Sequence, residues 1–428
     1  MGMYFFKNYN LGCTQMIDLA LLRSANAHKI IDLLRKKEPK FDVESLIFTD
    51  SRARDIRHKV EELRANKNKL AKNATTGLSH EMREHSIEIG KELKNLEVEL
   101  EAVEHKLELL LLACPNIPMD DLPKGGKEAN CVVRSWGEKP LFDFVPEHHL
   151  ALNEKLGWFD FRAGAKISGS QQLVYRKDGL KMIYALTRLM LRHNAQNGHE
   201  PIMPPYLVNE KTMIGNGSLP KFKGDFYELK ETDLCLLPTA EVTFTGMFSD
   251  TIFKEDELPI RQCAWTSCFR REAGGYGSVE RGLIRIHQFE KVELYTVTKA
   301  EDSNAELEKM VNIGETFLQK LGLHYRVSLL AAEDCSFASA KTFDIEVWLP
   351  GQNCYYEVSS CSNCTDFQTR RAKIRYKDNE GKIHLCHTLN ASSLALPRLM
   401  VAILETCQQA DGSIKLPKIL KDEMDALW

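Results

Sequence analysis

Between Leu46 and Leu110 the apolar residues of this chain follow a three-and-four spacing. Leu46, Ala53, Ile56, Val60, Leu63 and Leu70 form one series; Met82, Ile89, Leu93, Leu96, Leu100, Val103, Leu107 and Leu110 form the next. That period winds a narrow apolar stripe along a helix, and such a stripe leaves water only by facing another helix. Two long helices must therefore pair, with Thr75-Thr76-Gly77-Leu78-Ser79 supplying the turn and an N-cap for the second. The pattern predicts an antiparallel coiled-coil hairpin over about residues 43–113, its first helix running from about Val43 to Asn73. At ~1.5 Å per residue that helix is roughly 45 Å long, an arm rather than a core. Polar seam positions at Lys67 and Ser86, set opposite one another by a turn near Gly77, predict loose packing close to the tip.

Charge is sorted between the two helices. Residues 52–72 hold eight Lys or Arg against three Asp or Glu, whereas residues 80–112 hold four against nine. A basic flank suits a nucleic-acid backbone, which attracts clustered Lys and Arg without any base-reading surface. It equally suits two helices that attract each other through flanking charges.

A chain of 428 residues exceeds the usual single core, so a second domain is expected beyond the hairpin. The net charge of −3 excludes a polycationic binder; nucleic-acid contact must come from a local patch. Twelve scattered cysteines without an export signal fit reduced thiols and a cytoplasmic location. Residues 1–15 lack the marks of secretory and transit peptides and read as an extension of uncertain role. No apolar run reaches ~18 residues, so no membrane partner is expected. Pro115-Asn116-Ile117-Pro118 stops the second helix, and the polar run with Gly125-Gly126 reads as a linker. The expected bounds are an N-terminal domain over 16–114, a linker over 115–135 and a second domain over 136–428.

In that second domain, helical patches at residues 182–195 and 305–321 alternate with strand-like runs at 325–330 and 343–349. The blend predicts an α+β fold with an antiparallel sheet. The chain has no Gly-x-Gly-x-x-Gly and no Walker-type Gly-Lys-Ser/Thr, which argues against the two common nucleotide folds.

The richest chemistry lies from Cys268-Phe269-Arg270-Arg271-Glu272-Ala273-Gly274-Gly275 through Arg281 to Glu293. Arg270 and Arg285 can clamp phosphates from two sides through bidentate forks, and the glycines between them let the backbone approach a ligand. Alternation from Ile284 to Glu293 suits a strand that aims every second side chain into a site. These paired strands resemble motif 2 of the class II aminoacyl-tRNA synthetases, and most closely the bacterial-type seryl-tRNA synthetases. Four more segments fit that family in the same order. Pro204-Pro205 within residues 199–209 resembles motif 1, and Thr239-Ala240-Glu241 resembles a serine-binding triplet. Glu357-Val358-Ser359-Ser360-Cys361-Ser362-Asn363 resembles a strand with metal and ATP contacts, and residues 388–398 resemble motif 3. The resemblance covers essentially all of residues 16–420.

The resemblance implies a class II antiparallel catalytic domain with an N-terminal coiled-coil arm, assembled as a homodimer. It implies ATP-dependent, AMP-forming ligation of L-serine to tRNA(Ser), leaves tRNA(Sec) open as a second substrate, and implies no DNA partner. Arg270, Glu293 and Arg398 become the expected catalytic residues. Serine would be bound by Thr239, Ala240, Glu241, Arg270, Glu293, Asn390 and Ser392, with Glu293 accepting its hydroxyl and Thr239 and Glu241 holding its ammonium. ATP would meet Arg270, Arg271, Glu272, Arg285, Ile286, Phe289, Glu357, Val358, Ser359, Ser360 and Arg398. Phe289 and the Arg398 guanidinium would sandwich its base, and Glu357 and Ser360 would hold Mg2+. The arm would grip tRNA through shape and backbone.

Motif 3 departs from the family. Asn390-Ala391-Ser392-Ser393 stands where Asn-Gly-Ser-Gly is usual, and Pro397 stands where glycine often precedes the arginine. If either missing glycine required positive φ, Ala391 or Ser393 would be strained. Such departures also suit a synthetase-like paralogue without catalysis. An amino-acid:carrier-protein ligase resembles the catalytic domain as well but lacks the long arm. Cys361 and Cys364 have zinc-ligand spacing, yet no second close pair completes a set, so no structural zinc is expected.

Overall fold

The structure, a computed structural model, describes residues 16–73, 80–272 and 282–428. The expected turn at 75–79, the extension at 1–15 and the glycine-rich stretch from Ala273 to Arg281 lie outside the described residues. The chain divides into two compact units, Gln15–Pro115 and Asn116–Trp428.

The first unit is helical. After α1 (Leu19–Arg23) and α2 (Ala27–Lys37) come α3 (Val43–Asn73) and α4 (His80–Ala113), which pack against each other. Leu46, Ala53, Ile56 and Val60 of α3, with Ile89 and Leu107 of α4, are buried, as the heptad spacing requires. Leu63, Leu70, Leu93 and Leu96 of the same seam are only half-buried. The Lys67 ammonium lies beside Gly90 of α4, 3.6 Å from where a side chain there would begin. Across the seam, Arg57 meets Glu104 at 2.5 Å, Arg64 meets Glu97 at 2.7 Å, and Arg52 pairs with Glu99. Part of the sorted charge thus joins the two helices.

The second unit is built on an eight-stranded sheet. In chain order the strands are β1 (Cys131–Trp136), β2 (Glu200–Ile202), β3 (Ile260–Phe269), β4 (Gln288–Thr298), β5 (Tyr325–Leu329), β6 (Lys341–Leu349), β7 (Cys354–Thr365) and β8 (His387–Ala395), and the spatial order is β1-β5-β6-β7-β8-β4-β3-β2. All neighbours are antiparallel except β2 and β3. Residues 131–135, expected within the linker, instead form most of β1 at the sheet edge. That strand is largely exposed and shows no apolar alternation, so period could not reveal it.

Three helices, α5 (Lys177–Gln196), α7 (Ser303–Lys320) and α8 (Leu396–Cys407), share one core with the sheet, numbering the helix Ala240–Met247 as α6. Met182, Leu186, Val311, Phe317, Leu399 and Ile403 meet Val292, Leu294, Ile345, Cys361, Leu389 and Ala391 there. Because strand side chains alternate, the residues between those apolar ones point to the opposite face. That face carries the site.

Candidate active site

A cavity of about 450 Å³ opens on the polar face of β4, β7 and β8. On β4, Phe289, Lys291 and Glu293 line it while Val292 and Leu294 enter the core; on β8, Asn390 and Ser392 line it while Leu389 and Ala391 do not. On β7 the rule needs a correction. Glu357 and Ser360 both line the cavity although they are three positions apart, a spacing that a regular strand would send to opposite faces. Pairing with β6 shows why: Ser360 lies opposite Asp344, Ser359 opposite Ile345, and Glu357 opposite Glu346. The register slips by one at Val358, and this bulge turns Glu357 and Ser360 to one side.

Thr239, Glu241, Arg270, Glu272, Arg285, Ile286, Phe289, Glu293, Glu357, Ser360, Asn390, Ser392 and Arg398 are therefore brought together. Ala240, Arg271, Val358 and Ser359 are not among the lining side chains. Ala240 and Val358 are apolar and fully buried, and Ser359 donates to the Ser392 carbonyl at 2.5 Å on the core side. Arg271 is exposed, and its backbone N–H donates to the Asp225 carbonyl. The strand expected from Ile284 starts at Gln288, because Gly282, at φ +71°, opens a short 3₁₀ turn through Ile284.

The cavity's charges oppose each other in pairs. Arg285 meets the Glu272 carboxylate at 2.5 Å, Arg398 meets Glu357 at 3.3 Å, and Lys291 pairs with Glu293. Lys291 also donates to the Thr239 hydroxyl at 2.7 Å. It was not singled out from sequence, although its place between Phe289 and Glu293 on an alternating strand is the signal for it. Asn216 and Gln368 donate to Glu241, at 3.1 and 2.6 Å, and desolvation together with nearby Glu293 raises that carboxyl above its ordinary range. Arg270 lies over Phe289 at 5.2 Å and donates to the Pro238 carbonyl at 3.3 Å, whereas Arg398 lies over Tyr356 at 5.0 Å. Behind Ser360 stands Asp344, whose Oδ1 is buried without a hydrogen-bond partner; burial and Glu357 hold its carboxyl well above the usual range.

Motif 3 accommodates its departures. Leu394, not Ala391 or Ser393, takes the left-handed conformation at φ +73°, where the β8 register shifts against β4. Ser393 donates to Asn194 at 2.8 Å, and Pro397 sits in the first turn of α8, where its missing N–H costs no helical bond. Cys361 is a core thiol pushed up to about 12 by burial, and Cys364 accepts from the Asn390 amide at 3.4 Å.

Comparison with known proteins follows the same outline. The family model of the seryl-tRNA synthetase N-terminal domain matches residues 16–118, and that of the class II tRNA synthetase core domain (G, H, P, S and T) matches residues 222–407. The serine–tRNA ligase of Syntrophobacter fumaroxidans is 44% identical over 415 residues, covering 95% of this chain and 98% of that protein. That of Chlamydia pneumoniae is 42% identical over 420 residues, with 96% and 98% covered. Among solved structures, seryl-tRNA synthetase from Pyrococcus horikoshii complexed with ATP superposes with a TM-score of 0.90 at 32% identity, covering 96% of this chain and 98% of that one.

Proposed function

The chain belongs to the seryl-tRNA synthetase family, and from that premise we propose how its own residues carry out serine–tRNA ligation. The observation that carries the proposal is the set of opposed charges on one face of the sheet: Arg270, Arg285, Lys291 and Arg398 stand with Glu241, Glu272, Glu293 and Glu357 around one cavity. Such a site is held neutral until a polyanion arrives. ATP phosphates then replace the carboxylates on Arg285 and Arg398, which frees Glu272 for the adenine and Glu357 for a cation. Glu357 and Ser360 offer the hard oxygen donors that Mg2+ requires, and Asp344 stands behind Ser360 on the neighbouring strand. Bound there, Mg2+ supplies charge neutralisation for the phosphates.

Serine fits the other end. Glu293 accepts the serine hydroxyl and Glu241 the ammonium, while Lys291, braced by Thr239, fixes Glu293 in place. Alanine leaves Glu293 with an unmet acceptor, so it is rejected by something like 10⁴. A serine carboxylate oxygen attacks the α-phosphorus; the bond to the bridging oxygen breaks and pyrophosphate leaves. The terminal ribose hydroxyl of tRNA(Ser) then attacks the seryl carbonyl, AMP departs and the hydroxyl proton is released. Arg270, beside Pro238 and Phe289, stands where it can hold the α-phosphate through both steps.

For the N-terminal unit we propose tRNA binding by α3 and α4. Arg52, Arg57 and Arg64 are engaged with α4, but Lys59, Lys67 and Lys69 form no ion pair among the described residues and suit phosphate contact. The same proposal includes a homodimer, as the family resemblance implies. No helix among the described residues is long and apolar enough to cross a membrane, which fits a cytoplasmic enzyme. Replacing residues 43–113 by a short Gly/Ser linker should spare serine-dependent adenylate formation and severely weaken charging of tRNA(Ser). Normal charging by the armless protein would make the arm purely structural.

A further inference from the structure

Outside the cavity, His149 and Glu405 face each other with neither side chain exposed to water. Glu405 stands in the last turn of α8, two turns beyond Arg398. Its carboxylate joins two other segments to that helix. Oε1 accepts from the His149 backbone N–H at 3.1 Å, from the His149 ring nitrogen Nδ1 at 3.2 Å and from the Gln352 amide at 2.9 Å; Oε2 accepts from the Gly351 N–H at 3.0 Å. Gly351 and Gln352 lie in the turn between β6 and β7, and β7 leads to Glu357. Because Nδ1 donates to the carboxylate, the second ring nitrogen, Nε2, points away from it. Nε2 is buried without a hydrogen-bond partner and abuts Gly282. A Cβ at Gly282 would fall 2.5 Å from Nε2 and 2.7 Å from the Leu150 side chain, and φ at Gly282 is +71°. Glycine is thus required there both for the close approach and for the left-handed backbone. Gly282 begins the 3₁₀ turn through Ile284, Leu283 and Ile284 are buried, and Arg285 follows directly at the cavity wall. An imidazole nitrogen buried without a partner is unfavourable, and an apolar side chain would fill the same space without that penalty. What the imidazole adds is a donor toward Glu405 together with a flat edge toward Gly282.

We infer that His149, held by Glu405, is a positioning residue for ATP: its ring edge seats Gly282 and so fixes the turn that presents Arg285, an inference that rests on the phosphate-binding role proposed above for Arg285 and Arg398. When ATP binds, both arginines exchange a carboxylate, Glu272 or Glu357, for phosphate. A long side chain that changes partner keeps its aim when its backbone stays fixed. Glu405 is the common anchor, since one carboxylate ties the end of α8, the β6–β7 turn and, through His149, the start of the turn before Arg285. The serine-side residues take no part in this contact: Thr239 and Glu241 belong to the N-terminus of α6, and Glu293 to β4. Loss of the seat therefore weakens ATP binding and leaves serine binding intact.

The test withdraws the ring edge while keeping the bond to Glu405. Asparagine places its amide nitrogen near the position of Nδ1, so His149→Asn retains a donor for Glu405 and leaves Gly282 unsupported. In serine-dependent ATP–pyrophosphate exchange, normalised to sites counted by active-site titration, KM for ATP should rise about 10-fold while KM for serine stays within about 2-fold. Kd for ATP from calorimetry should rise in parallel. Gly282→Ala probes the same contact from the other side and should also raise KM for ATP. In the double variant the new methyl takes space that the ring has vacated, so KM for ATP should rise less than the product of the two single effects. An unchanged KM for ATP in either single variant, an equal rise in KM for serine, or strictly multiplicative effects in the double variant would overturn the assignment. Absence of serine-dependent exchange in the unaltered protein would instead overturn the activation reaction itself.

Discussion

The arm and the catalytic cavity both set arginine and lysine against glutamate, but the two sets differ in their access to water. In the arm, the side chains of Arg52–Glu99, Arg57–Glu104 and Arg64–Glu97 remain 40–58% exposed. In the cavity, Lys291 and Glu293 are 7% and 2% exposed and Arg285 and Glu272 26% and 18%, while Arg398 and Glu357 at the outer end reach 29% and 41%. Exposed pairs are screened by water and salt and fix only the helix register. A buried pair such as Lys291–Glu293 holds charges that neither partner can leave behind, so both stay where a substrate must meet them. The same residue types thus give a stiff rod in one unit and a preorganised polar site in the other.

The largest effect should follow from breaking a buried pair. Glu293→Gln strands the Lys291 ammonium and deletes the acceptor for the serine hydroxyl. Serine-dependent exchange should fall about 10²- to 10³-fold in kcat/KM, chiefly through KM for serine, while KM for ATP changes little. Equal losses of serine and ATP affinity in the folded variant would contradict the role given to Glu293.

Acid stability sharpens the contrast next. His199 is buried, neither ring nitrogen has a hydrogen-bond partner, and burial with Arg261 nearby depresses its pKa to about 4. The unfolded chain protonates this group near pH ~6.5, whereas the folded chain does so only near 4. The stability it contributes is complete above the unfolded value and is lost as pH falls from ~6.5 toward 4. The slope approaches ~1.4 kcal/mol per pH unit, about 3 kcal/mol in all. Denaturant titrations between pH 7 and 4 should show this loss for the catalytic unit, and His199→Leu should flatten it. An unchanged profile in His199→Leu would assign acid sensitivity to other buried groups.

The smallest effect belongs to the arm. Arg64→Ala should change stability by no more than about 0.5 kcal/mol, read from the denaturation midpoint. A cost of several kcal/mol would mean that the exposed pairs govern the hairpin after all.

How far the sequence disclosed these features depends on the range of the physics behind them. Heptads repeat locally, so α3 and its seam were legible from Val43 to Asn73. Alternation is local too, and it set Phe289 and Glu293 on one face; the same rule extended one step would have named Lys291. The bulge at Val358 was not legible, because it is a property of β6 and β7 together and no residue type announces it. The resemblance assigned Val358 and Ser359 to ATP with the rest of their strand, and the bulge leaves their side chains buried on the core side. The Glu241 partners were hidden for a similar reason: Asn216 and Gln368 lie 25 and 127 residues away in sequence. At motif 3 the departures from glycine drew attention to Ala391 and Ser393, while the backbone concentrates its unusual conformation in Leu394.

The account turns on one claim, that the charged face of β4, β7 and β8 activates serine. Serine-dependent ATP–pyrophosphate exchange by the purified chain measures that step without tRNA. Robust exchange with serine, and none above background with alanine, is the predicted result. Folded protein that exchanges with neither, or with both alike, would contradict the claim.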